Sequence, residues 1–569
     1  MRRLPLIFLA CAMLLVPQGA ADACTNVIIT RGASADGSCM VSYAADSHML
    51  FGELYFHKAA DWKAGAMLPI IEWDTYKPLG SIKQVAHTYQ TVGNMNEHQL
   101  IIGETTWGGR EAQVNPDGIM DYGSLIYVTL QRARTAREAI DIIVALANEY
   151  GYPSEGETFS IADTQEAWVM DLVGKGEEKG IVWVARRIPD GYICAHANQA
   201  RITTFPQNDP DNCIFAPDVI SFARSKGWYE GDDAGFSFRD AYNPLDFGGA
   251  RACDARAWSA FNILCDGTFT YLDAEGREVS APASDWLDYA MGYDLKGEMP
   301  LFVKPSRKIT VKDVADVMRD HYEGTPMDMT QDIGAGGNAL PYRWRPMSFT
   351  VDGKTYVNER AIATQQTGFW FVGQARGWLP DEIGSLIWFG CDDAATSYLT
   401  PVYVNTTEVP DCFRVGNGDM LHYSPTSAFW MCNRVANACY KMYDKMAPFV
   451  RAEADRFEND QMFSKVKTND EQLLAKYKPG KKSSLKKIRK ALTRYSVDTA
   501  QEQFANWAKL EETLLVKFID GNIKAQEEDG SFSHSEYNEG TPKGLQYGGY
   551  NDLWKKVVAQ EHGSVIEQK

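Results

Sequence analysis

The pattern of apolar and polar residues predicts that the chain opens with β structure. Thr25–Thr30 is a short run rich in β-branched side chains, and Cys39–Tyr43 is a second run of this kind. The segment between them, Ala33–Gly37, contains an Asp-Gly pair, which favours a tight turn between two strands. We therefore expect a hairpin that places residue 24 at the end of a strand.

A helical period of apolar residues marks Thr135–Tyr150 as a helix. Thr135 and Glu138 have the spacing of a capping box, and Gly151 follows as a stop signal. The pattern also predicts strands and one more helix, in order: paired strands at Phe159–Val173 and Gly180–Ile188 with a turn near Asp163–Gln165, a helix at Val311–Tyr322, and strands at Thr367–Val372 and Ser385–Phe389. Strands mixed with helices indicate a layered α/β or α+β fold.

The composition of the chain changes near residue 450. Residues 451–526 are rich in helix-forming residues, and the tail from Asp529 is rich in Gly, Ser and Tyr, which predicts loop. Four apolar residues recur at helical spacing and are predicted to pack on the main domain: Phe504, Trp507, Leu514 and Phe518. We therefore divide the chain into residues 1–23, a main domain at 24–450 and a helical C-terminal addition at 451–569.

The first 23 residues have the three parts of a secretory signal peptide. Arg2 and Arg3 supply positive charge, Leu4–Val16 is almost wholly apolar, and residues 21–23 form an A-x-A cleavage site. A membrane anchor is the alternative, but an apolar run of about 13 residues is too short to span a hydrocarbon core of about 30 Å. A lipidated Cys24 fits poorly with the residues before it. We expect cleavage before Cys24 and export to a periplasm or out of the cell.

Composition and charge exclude some classes of function. The net charge is −18, which argues against nucleic acid as the main partner because phosphate binding needs a basic surface. No later segment is apolar for about 18 residues, so no membrane span is predicted. No C-x-x-C pair or H-E-x-x-H motif occurs, so the sequence predicts no metal site. Disulfide pairing and oligomeric state stay open.

The predicted cleavage site coincides with a cysteine. Cleavage would make Cys24 the first residue, with a free α-amino group whose pKa is about 7.7–8.0. This amine can take the proton of the thiol within one residue, which activates the nucleophile. Position alone leaves open that the cysteine is there only because a small residue is needed beside the cut.

The residues around Cys24 resemble a known family. The segment CTNVIITRGASADGSCMVSYAADSH is similar to the amino terminus of the dipeptidases of the N-terminal-nucleophile (Ntn) hydrolase superfamily, relatives of penicillin V acylase, bile salt hydrolase, acid ceramidase and the secernins. Further similar segments follow in order at residues 93–98, 196–201 and 244–256. The resemblance covers roughly residues 24–450.

The resemblance implies a fold, a reaction and a set of site residues. The fold would be α+β, a four-layer α/β/β/α sandwich, with the helical C-terminal addition. The reaction would be hydrolysis of a dipeptide or short peptide through an acyl-enzyme on Cys24, without a cofactor.

Each implied site residue has a role. Asp46 would orient the amine, Asn96 would donate to the oxyanion, and Asn198 would hold the oxyanion or the substrate. Arg251 would lie beside the thiol and lower its pKa, with Arg256 as a competitor for that role.

This sequence departs from the family at one position, and other functions compete. Relatives usually have an arginine three residues before the aspartate, where this chain has Tyr43, so positive charge near the thiol must come from elsewhere. The nearest alternative is hydrolysis of an N-acyl amide such as a bile salt or penicillin V. A papain-type pair of a cysteine with His196 and a non-catalytic secreted binding protein are the others, and neither needs Cys24 to be terminal.

Overall fold

The computed structural model describes residues 24–568, so the predicted signal peptide at 1–23 lies outside the described residues. The described chain mixes helices and strands. The strands are β1 (Thr25–Ile29), β2 (Cys39–Asp46), β3 (Phe56–His57), β4 (Ala60–Asp61), β5 (Met67–Ile71), β6 (Pro78–Lys83), β7 (His87–Thr88), β8 (Thr91–Val92), β9 (Met95–Asn96), β10 (Ile101–Trp107), β11 (Gly156–Ala162), β12 (Ala167–Lys175), β13 (Glu178–Arg187), β14 (Ile193–His196), β15 (Cys213–Phe215), β16 (Thr268–Leu272), β17 (Glu278–Pro282), β18 (Phe302–Val303), β19 (Ser348–Val351), β20 (Lys354–Val357), β21 (Thr367–Ala375), β22 (Ser385–Cys391), β23 (Thr400–Tyr403), β24 (Asn522–Lys524), β25 (His534–Ser535), β26 (Asn538–Pro542) and β27 (Leu545–Tyr547).

The α-helices are α1 (Tyr122–Leu130), α2 (Ala136–Tyr150), α3 (Val219–Ser225), α4 (Phe238–Tyr242), α5 (Ala255–Leu264), α6 (Leu287–Ala290), α7 (Val311–Val317), α8 (Asp381–Gly384), α9 (Ala428–Cys439), α10 (Tyr443–Asp460), α11 (Val466–Leu474), α12 (Lys482–Phe518) and α13 (Asp552–His562). Two π-helical segments, Gly249–Asp254 and Gln461–Lys465, lead directly into α5 and α11.

Two antiparallel sheets form the core. One has seven strands in the order β18-β14-β1-β2-β21-β22-β23, and the other has eight in the order β15-β13-β12-β11-β10-β9-β8-β3. The sheets contact each other where β10 and β11 lie against β1 and β2. Helices lie against other parts of both sheets: α2 contacts β13, α5 contacts β1, and α7 contacts β2. The expected mixture of α and β structure is therefore confirmed.

The predicted amino-terminal hairpin is confirmed. Every residue of β1 and β2 is buried, and Thr25 pairs with Ala44 at the end where β1 begins. The eight-stranded sheet approaches this hairpin closely at Gly103 of β10, where an added Cβ would lie 2.8 Å from the side-chain nitrogen of Asn26. Glycine at this position lets the two sheets meet beside Cys24.

The predicted helix at 135–150 forms almost as expected. It runs from Ala136 to Tyr150, the Thr135 hydroxyl accepts a hydrogen bond from the amide of Glu138, and Gly151 ends it with a φ of 82°. The second half of the capping box is absent, because the Glu138 carboxylate accepts from the amide of Arg134 instead.

Two predicted elements differ from the structure. The helix predicted to reach Tyr322 ends at Val317, because Tyr322 has a φ of 65° and the amide of His321 donates to the Glu323 carboxylate instead of continuing the helix. The tail predicted as loop contains short strands and α13. Helix α13 begins where the Asn551 side chain accepts a hydrogen bond from the amide of Trp554. This N-cap is difficult to recognise in a segment that is polar throughout.

The C-terminal helices pack on the main sheets. Helix α12 is 37 residues long and contacts β23 and α9. Trp507, Leu514 and Phe518 are buried in the main core, and Phe504 is partly buried against it, which confirms the predicted contacts. The division of the chain into a main domain and an addition from residue 451 stays a prediction.

Several properties of the described chain bear on its chemistry. All ten cysteines from Cys24 to Cys439 are free thiols. None of the helices in residues 24–568 combines the length and the apolar character that crossing a bilayer requires. Over the same residues, no group of three or more His, Cys, Asp or Glu side chains is placed to hold a metal ion.

Candidate active site

Cys24 lies directly before β1 and is buried, with 5% of its surface exposed. Its thiol contacts two polar side chains: Sγ lies 3.6 Å from the hydroxyl of Tyr43 and 3.5 Å from Oε1 of Glu104. The Tyr43 hydroxyl in turn donates a short hydrogen bond to the same Glu104 oxygen. Tyr43, which stands where relatives of the resembled family usually have an arginine, is thus a direct neighbour of the thiol.

This environment keeps the thiol protonated. Burial raises the pKa of Cys24 well above its usual range, and the charges of Glu104 and Asp46 raise it further. The backbone of Asp46 and the hydroxyl of Tyr43 lower the pKa through hydrogen bonds, but their effect is smaller. A thiolate at this position therefore needs additional positive charge.

Asp46 lies at the end of β2, where a bulge interrupts the pairing with β21. One carboxylate oxygen accepts from Nη2 of Arg360 at 2.6 Å, and the other accepts from the hydroxyl of Thr367 at 2.5 Å. Burial raises the pKa of Asp46 to about 6, against the opposing attraction of Arg360. Asp46 is thus a fixed carboxylate near Cys24, and its contact with a free amine stays a prediction because it requires cleavage.

Asn96 is placed for a structural role. Its side-chain nitrogen donates to the carbonyls of Leu130 and Ala133, at 2.8 and 2.7 Å, and its side-chain oxygen accepts from the amides of His98 and Leu100. Both amide hydrogens are thus already donated to the main chain. These hydrogen bonds connect the turn at residues 96–100 to the end of α1. The expected role of Asn96 as an oxyanion donor does not fit this arrangement.

Asn198 and Arg256 lie together beside residue 24. Nη1 of Arg256 donates to the Cys24 carbonyl at 2.6 Å and to the Thr25 hydroxyl at 2.8 Å, and Nη2 donates to the Asn198 side-chain oxygen at 2.8 Å. Asn198 has a φ of 56°, which asparagine tolerates better than most residues, and its nitrogen donates to the Thr106 carbonyl. Asn198 is therefore linked to residue 24 through Arg256, and its role in binding an oxyanion or the substrate stays a prediction.

Arg251 does not occupy the place expected for it. It lies in the π-helical segment before α5, where its guanidinium pairs with the Glu359 carboxylate and donates to the Tyr293 hydroxyl. The arginine that contacts residue 24 is Arg256, one turn later. A difference of five positions on a helical segment changes the direction of the side chain, and the sequence alone does not resolve which of the two arginines contacts residue 24.

The carboxylate beside the thiol was missed from the sequence. Glu104 lies in β10, and Glu157 lies opposite Thr106 in the adjacent β11. Burial and the neighbouring Glu104 raise the pKa of Glu157 well above its usual range, which favours the protonated form of this carboxyl. The available signal was a buried glutamate in an otherwise apolar and β-branched run at 101–107.

His196, the partner in the papain-type alternative, is engaged elsewhere. Its Nδ1 lies 2.7 Å from the hydroxyl of Thr105, and its Nε2 lies 2.7 Å from the hydroxyl of Ser160. Burial lowers its pKa to about 3. Both ring nitrogens are thus occupied by hydroxyls that link the two sheets, and the Cys–His arrangement does not form.

A cavity of about 210 Å³ opens next to these residues. Its walls come from the loop after β14, the π-helical segment and α5, and the hairpin of β19 and β20 with the residues around it. The charged and amide side chains that line it are Asn198, Arg251, Arg256, Arg345, Asn358 and Arg360. Two of these side chains also contact the site residues, since Arg256 donates to the Cys24 carbonyl and Arg360 donates to Asp46.

Comparison with known proteins gives consistent matches. The model of peptidase family C69 matches residues 69–456, a range that includes Glu104 and Arg256 and begins after Cys24. A probable dipeptidase of Salmonella dublin is 26% identical over 421 residues, covering 70% of this chain and 84% of that protein. Probable dipeptidase B of Lactococcus lactis is 23% identical over 441 residues, covering 74% and 82%. Probable dipeptidase A of Streptococcus pyogenes serotype M3 is 24% identical over 442 residues, covering 73% and 82%.

Proposed function

The chain belongs to peptidase family C69, a cysteine peptidase family of Ntn-type fold, and on that premise we propose that it is an exported dipeptidase whose nucleophile is Cys24 at the mature amino terminus. The observation that carries the proposal is the position of the Cys24 thiol. It follows the predicted cleavage site directly, and it lies within hydrogen-bonding distance of Tyr43 and Glu104. The dipeptidase names of the relatives give the substrate class.

The surroundings of the thiol explain why a free amine would matter. In the uncut chain the Cys24 thiol is buried, near two carboxylates, and its pKa is raised. Cleavage would place an ammonium group within the same residue, and a neighbouring positive charge favours the thiolate. The neutral amine is also a base that can accept the thiol proton. We infer that Asp46, held by Arg360 and Thr367, orients this amine.

The reaction then proceeds in two halves. The Cys24 sulfur attacks the peptide carbonyl while its proton passes to the amine, and a tetrahedral oxyanion forms. Asn198 is the side chain we assign to the oxyanion, since donors fixed in advance stabilise the developing charge. The ammonium protonates the leaving amino group, the C–N bond breaks and a thioester remains. Water, deprotonated by the amine, attacks the thioester, the C–S bond breaks and the amino-terminal residue leaves with a new carboxyl group. The sulfur takes the proton back from the ammonium, which restores the thiol and the neutral amine.

The same proposal extends to the architecture. We infer that the seven- and eight-stranded sheets, with helices on their outer faces, form the four-layer α/β/β/α sandwich of Ntn hydrolases. Their contact at Asn26 and Gly103, and the covering helices α2, α5 and α7, support it. Export to a periplasm or the medium follows from the sequence pattern at 1–23.

Turnover by the mature chain tests the proposal. A chain that starts at Cys24 is assayed on a panel of dipeptides and of N-acyl amides. Dipeptides should be hydrolysed, and Cys24→Ala should abolish turnover with an unchanged melting temperature. Cys265→Ala, which removes another buried thiol far along the chain, is the matched control and should retain activity. Hydrolysis of N-acyl amides alone would replace the dipeptidase proposal, and full activity in Cys24→Ala would move the nucleophile elsewhere.

A further inference from the structure

The cavity beside Cys24 is lined by four arginines: Arg251, Arg256, Arg345 and Arg360. Two of them are neutralised within the chain, because Arg251 pairs with Glu359 and Arg360 pairs with Asp46. Among the described residues, Arg256 and Arg345 have no carboxylate at ion-pair distance. The cavity therefore carries an excess of positive charge in an otherwise strongly acidic protein.

The two arginines without an ion pair differ in their free donors. Arg256 is buried, and its nitrogens donate to carbonyls, to the Thr25 hydroxyl and to Asn198. It supplies charge but has little left to donate. Arg345 is exposed at the cavity mouth, and the one hydrogen bond of its guanidinium within the described residues goes from Nη2 to the Gln366 side chain. Most of the Arg345 donors thus remain available to an anion.

The neighbours of Arg345 make an anion favourable there. Partial burial and the nearby charges of Arg360 and Arg256 lower its pKa, which means that the three guanidinium groups repel one another. A carboxylate between them would relieve this repulsion and accept paired hydrogen bonds from a guanidinium fork. The side chain of Asn358 on the same wall adds an uncharged polar group.

The charge is arranged unequally around Cys24. Arg256 contacts the residue at its carbonyl, whereas Glu104 contacts it at its thiol. A dipeptide lying across the nucleophile is itself a dipole, with an ammonium group at one end and a carboxylate at the other. The arginine side of the site suits the carboxylate end, which belongs to the residue that leaves as the free amino acid.

We propose that this cavity binds the C-terminal carboxylate of the dipeptide, and that Arg345 is the specificity-determining residue that donates hydrogen bonds to it. The inference rests on the proposed dipeptidase function and deepens it. The enzyme then selects substrates that end one residue after the scissile bond, because an amide or a further residue would place an uncharged group among the arginines. Leaving those cations without a partner is costly.

The test compares a well-cleaved dipeptide with its C-terminal amide. In the wild-type enzyme we expect the acid to have the higher kcat/KM. Arg345→Gln should reduce the acid-to-amide ratio roughly 10- to 100-fold, the usual range for one charge-assisted hydrogen bond, through KM for the acid. Arg345→Lys should restore part of the ratio because the charge returns without the fork. Arg494→Gln removes an equal charge from an exposed site on α12 and should leave the ratio unchanged.

Calorimetric binding to the Cys24→Ala protein separates this inference from the proposed function. Selective binding of the acid that Arg345→Gln removes supports the cavity, whether or not the wild-type chain turns the dipeptide over. Equal binding of acid and amide, binding of neither, or an acid preference that survives Arg345→Gln would overturn it. A dipeptide amide with aspartate as its second residue tests the other source of a carboxylate. If it binds as tightly as the free acid, the cavity selects a side chain, and the assignment to the C-terminus is wrong.

Discussion

The two sides of the Cys24 site differ in how their charges are balanced. On the thiol side, Tyr43, Glu104 and Glu157 are buried, the Tyr43 hydroxyl donates to Glu104, and the charge of Glu104 helps to raise the pKa of Glu157. On the carbonyl side, two arginines are neutralised by Asp46 and Glu359, while Arg256 and Arg345 have no carboxylate partner among the described residues. The thiol side thus carries buried carboxyl groups, whereas the carbonyl side has room for an anion.

This difference suggests what each side contributes. The acidic side opposes a thiolate, because burial and the charges of Glu104 and Asp46 raise the pKa of Cys24. The arginine side favours an anion but does not contact the sulfur, since Arg256 donates to the Cys24 carbonyl. Activation of the thiol and recognition of the substrate are thus assigned to different residues, and each can be altered separately.

Among the substitutions around the thiol, the largest loss of activity is expected at Asp46, which contacts Arg360 and lies near Cys24. We predict that Asp46→Asn lowers kcat by roughly 10²–10⁴, the range for a positioned proton-transfer group, because the amine of Cys24 loses its orientation. Asp171→Asn is the matched control, since Asp171 is also a buried aspartate with a pKa raised to about 6 but is held by Thr158 and by the amides of Arg201 and Ile202. Similar kcat values for the two variants, both shown to be folded, would remove Asp46 from the mechanism.

The pH dependence of kcat/KM sharpens the assignment of Asp46. Its pKa is about 6 in the uncut chain, and a neighbouring ammonium favours the carboxylate and lowers that pKa. Activity that needs the carboxylate should therefore be lost as the pH falls through about 6 or below. His196, with a pKa of about 3, stays neutral over this range. An acid limb that persists unchanged in Asp46→Asn would assign the titration to another group.

A smaller effect is expected on the acidic side. Glu104→Gln removes a charge that raises the pKa of Cys24. We predict that iodoacetamide alkylates Cys24 in the uncut chain roughly 3- to 10-fold faster near neutral pH, since one pKa unit changes the thiolate fraction tenfold. Glu278→Gln, at an exposed carboxylate paired with Lys304, should not change the rate. Equal rates in all three proteins would show that Glu104 does not control the thiol.

The smallest change in turnover is expected at Asn96. Asn96→Ala should lower the free energy of unfolding by about 1–3 kcal/mol, because buried carbonyls and amides lose their partner. Its kcat should stay within about 2-fold, whereas loss of an oxyanion donor typically costs about 10²–10³. Denaturant unfolding and steady-state kinetics decide between the two, and a large loss of kcat with unchanged stability would return Asn96 to the oxyanion.

The local parts of the fold could be predicted from the sequence. The hairpin around Asp36-Gly37 and the helix capped by Thr135 carry their signals within a few residues, so pattern and turn chemistry suffice. The end of α7 and the helix in the tail were missed. Each depends on one cap or one residue with positive φ, and such features are difficult to separate from a polar loop.

The candidate site was predictable only in part. Cys24 has a signal of its own, because it follows a predicted cleavage site. The partners of Asp46 do not, since Arg360 lies 314 residues further along the chain and is brought near by the pairing of β2 with β21. Glu104 looks like an ordinary polar position of a strand, and Arg345 like a surface arginine. Their roles follow from which strands become neighbours, and no local pattern encodes that.

The terminal-amine mechanism is tested most directly by measuring dipeptide hydrolysis with and without residues before Cys24. One form of the chain starts with Met before Cys24, which a host aminopeptidase removes, and the other keeps a short tag whose removal ends just before Cys24. Both should melt alike, but only the first should hydrolyse dipeptides, because an amide nitrogen cannot act as the base. Cutting the tag from the second should restore activity. Full activity in a tagged form confirmed intact by mass would contradict the terminal-amine mechanism.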